Sequence, residues 1–294
     1  MFCLGKNAII EMVKESPELL YYLKDEYRNN EDVVLAAVRA NGEALQFAPE
    51  KFRDDWEIVR TAFDSDWRAF RFASESMRGD WASAGSMLIF QGLALQYTSW
   101  DLRNDAGVVI IAVKQEGTAL QYASMGLRND SEIVLAAVTQ NGRALRYAGD
   151  TSRDNREIVL AAVQQNGDAL LYASDALRDD RDIVLEAVKN SPMALQYASD
   201  RLRDDPEVVE EAVRRCGEAL QFAGENARKI PHLALLAFSD EEEAFPFIPE
   251  SLFKDEEVKK DILRIFQGHW DEEDGYDDDE EEEDEDDEEY EEYV

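Results

Sequence analysis

Written in rows of 25 from Lys6, the chain aligns through Asp255 without an insertion or deletion, and this ten-row period limits the fold more than any other feature. One column reads Tyr22, Phe47, Phe72, Tyr97, Tyr122, Tyr147, Tyr172, Tyr197, Phe222 and Phe247. With aromatics at 10% of the chain, chance would produce such a column about once in ten billion sequences. Two residues earlier stand Leu20, Leu45, Phe70, Leu95, Leu120, Leu145, Leu170, Leu195, Leu220 and Phe245, with Ala in front in nine of the ten rows. Both columns are expected in the core. A unit this short cannot close a core alone, so the rows must bury one another's apolar faces.

The seventh row, Arg156 to Asp180, reads as two short helices. Val159, Ala162 and Val163 form an apolar stripe on a first helix over about Glu157 to Gln165. Asp154, three residues before Glu157, has the spacing of a capping pair, repeated at Asn29/Asp32, Asp54/Glu57, Asn129/Glu132, Asp179/Asp182 and Asp204/Glu207. The turn column holds Gly42, Gly92, Gly117, Gly142, Gly167 and Gly217, but Pro17 and Pro192 stand in the same place. Proline cannot take positive φ, so this column is expected at the first position of a second helix, behind Ser16, Asn41, Asn141, Asn166 or Ser191 as caps. That second helix, about Gly167 to Ser174, is too short to persist without neighbours.

The expected fold is all-α, an α-solenoid of about ten 25-residue two-helix repeats over residues 1–255. Residues 256–270 read as a capping helix with Val258, Ile262, Leu263 and Phe266 inward, and 271–294 as a disordered acidic tail. That tail has 19 acids and no base, over half of the net charge of −35. Such a balance repels phosphate backbones and anionic membranes, so neither direct nucleic-acid nor membrane binding is expected. Two cysteines far apart give no disulfide framework, and no stretch is apolar enough for a signal peptide or a membrane span. A soluble intracellular chain follows, cytoplasmic with the nucleus open.

The units NGDALLYASDALRDD and SEIVLAAVTQ, with an ALxYA block, an LRDD turn and an IVLAAV helix in fixed order, resemble the family catalogued as Domain of Unknown Function 4116, over about residues 31 to 230. The resemblance implies a helical repeat module and carries no activity, substrate or catalytic residue. Rows three, four and ten depart from the pattern.

Three sets of residues are candidate sites. Trp56, Trp67, Trp81 and Trp100 fall in rows three and four, at columns filled elsewhere mainly by polar residues, Gly or Pro; with Arg68 and Arg71 they form a candidate partner contact. The alternative is internal repacking, since Met87, Leu88, Ile89 and Phe90 replace the usual helix end. Gln46, Gln96, Gln121, Arg146, Gln196 and Gln221 stand between the leucine and aromatic columns and offer a possible groove for a peptide backbone. Arg53, Arg128, Arg153, Arg178 and Arg203 belong to a column expected to be structural, a polar ladder between repeats. No nucleophile, phosphate-loop or metal-binding motif occurs, so no enzyme, cofactor or metal is expected. The functional expectation is a non-catalytic scaffold binding a protein or peptide. Its rival is an acidic-tail chaperone or nucleic-acid mimic that engages basic proteins.

Overall fold

In the computed structural model the described residues are 5–240 and 242–273, apart from the side chains of 239–243 and 266–273. The acidic segment beyond Glu273 and the side chain of Phe266 lie outside them. The chain is an all-α array of stacked repeats, and no strand occurs among the described residues. Each repeat holds three helical segments where the sequence suggests two. In repeat seven they are a long helix, Arg156–Gln165, a 3-10 helix, Gly167–Tyr172, and a one-turn helix, Asp175–Arg178. Long helices stack on long helices and 3-10 helices on 3-10 helices, so two parallel rows enclose a continuous core. A last helix, Glu256–Glu273, packs on the long helix Pro231–Asp240 of repeat ten. Val258 and Ile262 are buried there as expected, but Leu263 is exposed because it falls off the stripe that they define.

The long helix buries positions 3, 4, 7 and 8 of the repeat, Ile158, Val159, Ala162 and Val163 in repeat seven, which is one face at helical spacing; the first repeat buries only Ile9 and Val13, and in repeat four Ser83 is half-buried. Its cap lies one residue later than the sequence spacing suggests. Asn155 accepts the Glu157 and Ile158 amide hydrogens, as Asp130, Asp180 and Asp205 do for the helices that follow them. The preceding column faces the next repeat. Asp54, Asp154 and Asp179 accept from Ser74, Ser174 and Ser199, the serines that cap the next one-turn helix. Where that serine is Gly224, Asp204 takes over the cap and accepts the Asn226 and Ala227 amides at 3.0 and 3.1 Å. A Cβ on Gly224 would stand 2.1 Å from the Asp204 carboxylate, so serine and a direct carboxylate cap exclude one another.

The second segment is a 3-10 helix because its buried positions recur every three residues. Gly167, Leu170 and Ala173 form one buried line, and the half-buried Tyr172 follows the buried Ala169 on the next. It ends at the aromatic, and Ser174 caps the one-turn helix instead. The glycine column sits at the first position of this helix, as expected. Asn41, Asn141 and Asn166 accept the amide two residues on, whereas Ser16 and Ser191 make no such bond. What requires glycine is close approach. A Cβ on Gly117, Gly142 or Gly167 would lie 2.3–2.4 Å from a carbonyl oxygen of the next long helix. Trp67 and Pro192 replace glycine, and the long helices that follow them, Trp81–Leu88 and Pro206–Val213, are shortened to 8 residues. Pro17 is followed by a full-length helix, Glu31–Ala40.

From Leu20 to Leu220 the leucine column is fully buried, while Phe245 in repeat ten is exposed; the aromatic column is not core: from Phe47 to Phe247 its rings are half-buried against the core edge, and Tyr22 is exposed. Two ladders tie the repeats together. The amide of residue 74, 99, 124, 149, 174, 199 or 224 donates to the carbonyl of Arg53, Arg78, Arg103, Arg128, Arg153, Arg178 or Arg203, at 2.7–3.0 Å. Pro49 and Pro249, which lack an N–H, stand at the two ends of that series. The second ladder is made of side-chain amides. Gln140 Oε1 accepts the Gly117 N–H at 2.6 Å while its Nε2 donates to the Gln115 carbonyl at 3.3 Å, and Gln115, Gln165 and Asn190 accept equivalently from Gly92, Gly142 and Gly167.

Candidate partner-binding surface

Both helix rows pack most loosely at one place, the junction of repeats three and four. The cause is local. Trp67 occupies the glycine position of repeat three, and Phe90 occupies the position where Gln115, Gln140 and Gln165 bridge to the preceding glycine amide. The junction therefore has a bulky ring where the backbones would otherwise meet, and no side-chain amide to close it. A cleft of about 760 Å³ opens there, lined by Phe63, Asp64, Asp66, Trp67, Arg68 and Phe90 among others. The Trp67 ring is 5.8 Å from that of Tyr97, the Arg68 guanidinium 5.3 Å from the Trp67 centroid, and the Arg60 guanidinium 4.4 Å from that of Phe90. Phe90 stays 59% exposed and Ile89 61%, whereas Met87 and Leu88 are buried in the ordinary core positions. Exposed apolar rings with cations stacked on them resemble the central residues of protein interfaces.

The structure separates the other tryptophans from this cleft. Trp56 and Trp81 begin the long helices of repeats three and four, at the opposite ends of those helices from Asp64 and Phe90. Their position is the one from which Arg156 and Arg181 reach the acids of the next repeat. The Trp81 ring lies over Gly85 and near Gly107, which leave it room, and 52% of the residue remains exposed. Trp100, 64% exposed, begins a one-turn helix.

Positions 13 and 16 of the repeat eclipse on the outer line of the 3-10 helix. There Gln46, Gln96, Gln121, Gln196 and Gln221 each donate through Nε2 to the carbonyl three residues back, at 3.0–3.1 Å, so part of their capacity serves their own repeat. The same line pairs Arg68 with Arg71 and Arg143 with Arg146. Arg71 stacks on Phe72 and bonds Glu43 at 2.7 Å; Arg146 lies over Tyr147. A second cleft of about 440 Å³ crosses repeats five to eight between Arg143, Arg146, Leu171, Tyr147, Tyr172 and Tyr197. Burial, and then the neighbouring Tyr97 and Tyr147, hold the Tyr122 hydroxyl above its ordinary pKa; burial, then Asp168 and Tyr172, do so for Tyr197. Tyr147, Tyr172 and Tyr197 thus stand side by side along this surface.

In the arginine column the backbone, more than the side chain, joins the repeats. Arg53, Arg178 and Arg203 bond the carboxylate three residues back, Glu50, Asp175 and Asp200, while Arg153 donates to the Arg146 carbonyl at 2.6 Å. The buried Nε of Arg53, Arg103, Arg128, Arg153, Arg178, Arg203 and Arg228 makes no hydrogen bond, whereas that of Arg78 reaches the Ala73 carbonyl at 3.2 Å and its Nη1 the Tyr97 carbonyl of the next repeat at 3.3 Å.

The profile of a family described as Domain of unknown function (DUF4116) matches the chain over residues 6–53, 30–78, 107–153, 130–178, 155–203 and 180–226. The chain belongs to this family. Each DUF4116 match covers about two consecutive repeats, and on either side of the gap successive matches begin roughly one structural period apart. The matches leave out residues 79–106, which contain the whole of repeat four, the repeat with the shortened helix and Phe90. No curated protein and no solved structure matches the chain. Among the described residues no helix is long and apolar enough to cross a membrane, and no group of three or more His, Cys, Asp or Glu is placed to hold a metal ion.

The sequence singles out Trp67 and Arg68, but it offers Phe90 only as part of an internal repacking and gives no notice of Arg60 and Phe63. The signal that marks the cleft is a pair of coupled departures, Gly to Trp in one row and Gln to Phe in the next. It is visible only once the two columns are known to touch.

Proposed function

We propose that this DUF4116 chain is a non-catalytic scaffold that holds another protein or a peptide on its helical surface, with the Trp67–Phe90 cleft as the main contact. One coincidence carries the reading: the loosest junction of the array and its solvent-facing Phe90 ring lie between repeats three and four, and the internal gap in the family matches falls on repeat four. Elsewhere the repeats spend their recurring geometry on one another; here the apolar surface is left to a partner, which would supply the burial that Phe90 lacks. The rival reading gives the contact to the acidic segment, which would attract basic proteins by charge alone.

Affinity capture from cell extract with three chains decides between them: the intact chain, the Trp67→Ser/Phe90→Ser double variant, and a chain lacking residues 274–294. Loss of captured protein with the double variant alone supports the cleft. Capture that survives the double variant but disappears on removing the acidic segment, or at high ionic strength, assigns binding to the segment instead.

A further inference from the structure

The solenoid is electrically two-sided. The strip made by the last two residues of each long helix and the following 3-10 helix, residues 14–22, 39–47 and onward every 25 residues to 214–222, holds ten Lys or Arg against eight Asp or Glu. The rest of residues 6–230 holds 17 against 30. Bases gather at long-helix C-termini and acids at the capping turns, in the sense that the helix dipole favours. Within this strip, repeat six is the most cationic, with Arg143 and Arg146 and no acid over 139–147. Both arginines are exposed, and they flank a cleft that Tyr147, Tyr172, Tyr197 and Leu171 also line, with Asp168 as its one acid. Arg143 has only a loose pairing with Asp168, at 3.8 Å, and Arg146 stacks on the Tyr147 ring.

We propose that this cleft is the docking site of the chain's own acidic segment, residues 274–294. The segment has 16 acids, no base, and aromatic residues Tyr276, Tyr290 and Tyr293. Its chemistry complements an arginine pair set among tyrosines: carboxylates meet guanidinium groups, and a ring can enter the row of rings. The segment is also long enough. Twenty-one residues extend to at most about 70 Å, while the cleft lies three to four repeats before the last one, on the order of 30 to 40 Å at the usual helix spacing. Tethering gives the acids an effective concentration on the order of millimolar at this surface, so modest attraction is enough to hold them. The proposal does not depend on the Trp67–Phe90 cleft, which lies in other repeats.

The test uses the full chain with Cys3→Ser and Cys216→Ser, carrying a donor and acceptor dye pair at Thr139→Cys and Val294→Cys. High energy transfer in dilute buffer is expected, lost in about 0.5 M salt, where charges are screened beyond a few ångströms, and lost with Arg143→Glu/Arg146→Glu. Because both arginines are exposed, the fold should survive; Arg143→Gln/Arg146→Gln should give an intermediate loss with an unchanged circular dichroism spectrum. Low transfer in dilute buffer would overturn the proposal, as would high transfer indifferent to the arginine changes or abolished only by Arg214→Glu/Arg215→Glu. Transfer appearing only when singly labelled chains are mixed would assign the site to a second copy's segment and overturn docking within one chain. None of these results bears on the Trp67–Phe90 cleft, which is read by capture with its own variant.

Discussion

Repeat seven and repeat four have the same length and the same succession of helices, yet they do opposite things with their junctions. In repeat seven Gln165 bonds the Gly142 amide of the preceding repeat at 2.5 Å, Gly167 admits the next helix, and the long helix runs its full 10 residues. In repeat four the corresponding bridge residue is Phe90, the preceding glycine is Trp67, and the helix stops after 8 residues. Two substitutions in adjacent rows convert a closed seam into a cleft. The lesson is that an array held by identical contacts can open a binding surface at any joint by changing the pair of residues that meet there, without changing the period.

The largest break in the regular half should come from its core. Leu170→Ala is expected to cost about 2 to 5 kcal/mol, because its side chain is fully buried between neighbours; denaturant unfolding followed by circular dichroism would measure it, and a cost under about 1 kcal/mol would contradict stacking as the source of stability. Next is Gly142→Ala, with about 1 to 3 kcal/mol expected, since the added Cβ would stand 2.4 Å from the Ala162 carbonyl oxygen. Of similar or smaller size, Gln165→Ala leaves the Gly142 amide without its acceptor, about 1 to 3 kcal/mol, whereas Phe90→Ala breaks no such bond and should cost clearly less by the same denaturant unfolding. If the two cost the same, the side-chain ladder does not distinguish the two regions. Arg178→Ala, whose side chain pairs with the exposed Asp175, should cost about 1 kcal/mol or less.

The smallest effects are those of pH, and they work in opposite directions. The Ser199 hydroxyl and then Arg201 hold the Asp179 pKa below the usual range, and the Ala227 and Asn226 hydrogen bonds do the same for Asp204. A depressed folded pKa adds stability above the unfolded value, about 3.9, and that stability is lost as pH falls through the folded one. Tyr122 and Tyr197 have raised folded pKa values, so their contribution is intact below about pH 10 and lost as pH rises further. Thermal melting across pH should therefore soften at both extremes, and Tyr122→Phe should lessen only the alkaline loss.

Much of this is legible in the letters. A period of 25 with one apolar stripe per row admits little except stacked helices, because neither half of a row can bury itself. The glycine column can be placed from Pro17 and Pro192 alone, since proline rules out positive φ. The spacing puts the cap one residue early because Asp154 and Asn155 are both good caps, and only the neighbouring repeat shows that Asp154 is already engaged with Ser174. The aromatics read as core because tyrosine and phenylalanine alternate with apparent indifference; the 3-10 helix instead turns them to the core's rim, where a hydroxyl is tolerated and sometimes absent.

The architecture is written in the letters: repetition at fixed spacing forces every row into the same backbone, and local helix signals suffice to say which backbone. The surface comes from stacking. Trp67 and Phe90 are 23 residues apart and belong to different rows, and Arg143 and Arg146 face outward together only because three residues make one turn of a 3-10 helix. Which side chains are left to solvent depends on what the adjoining repeat covers, and that is settled by how the rows stack.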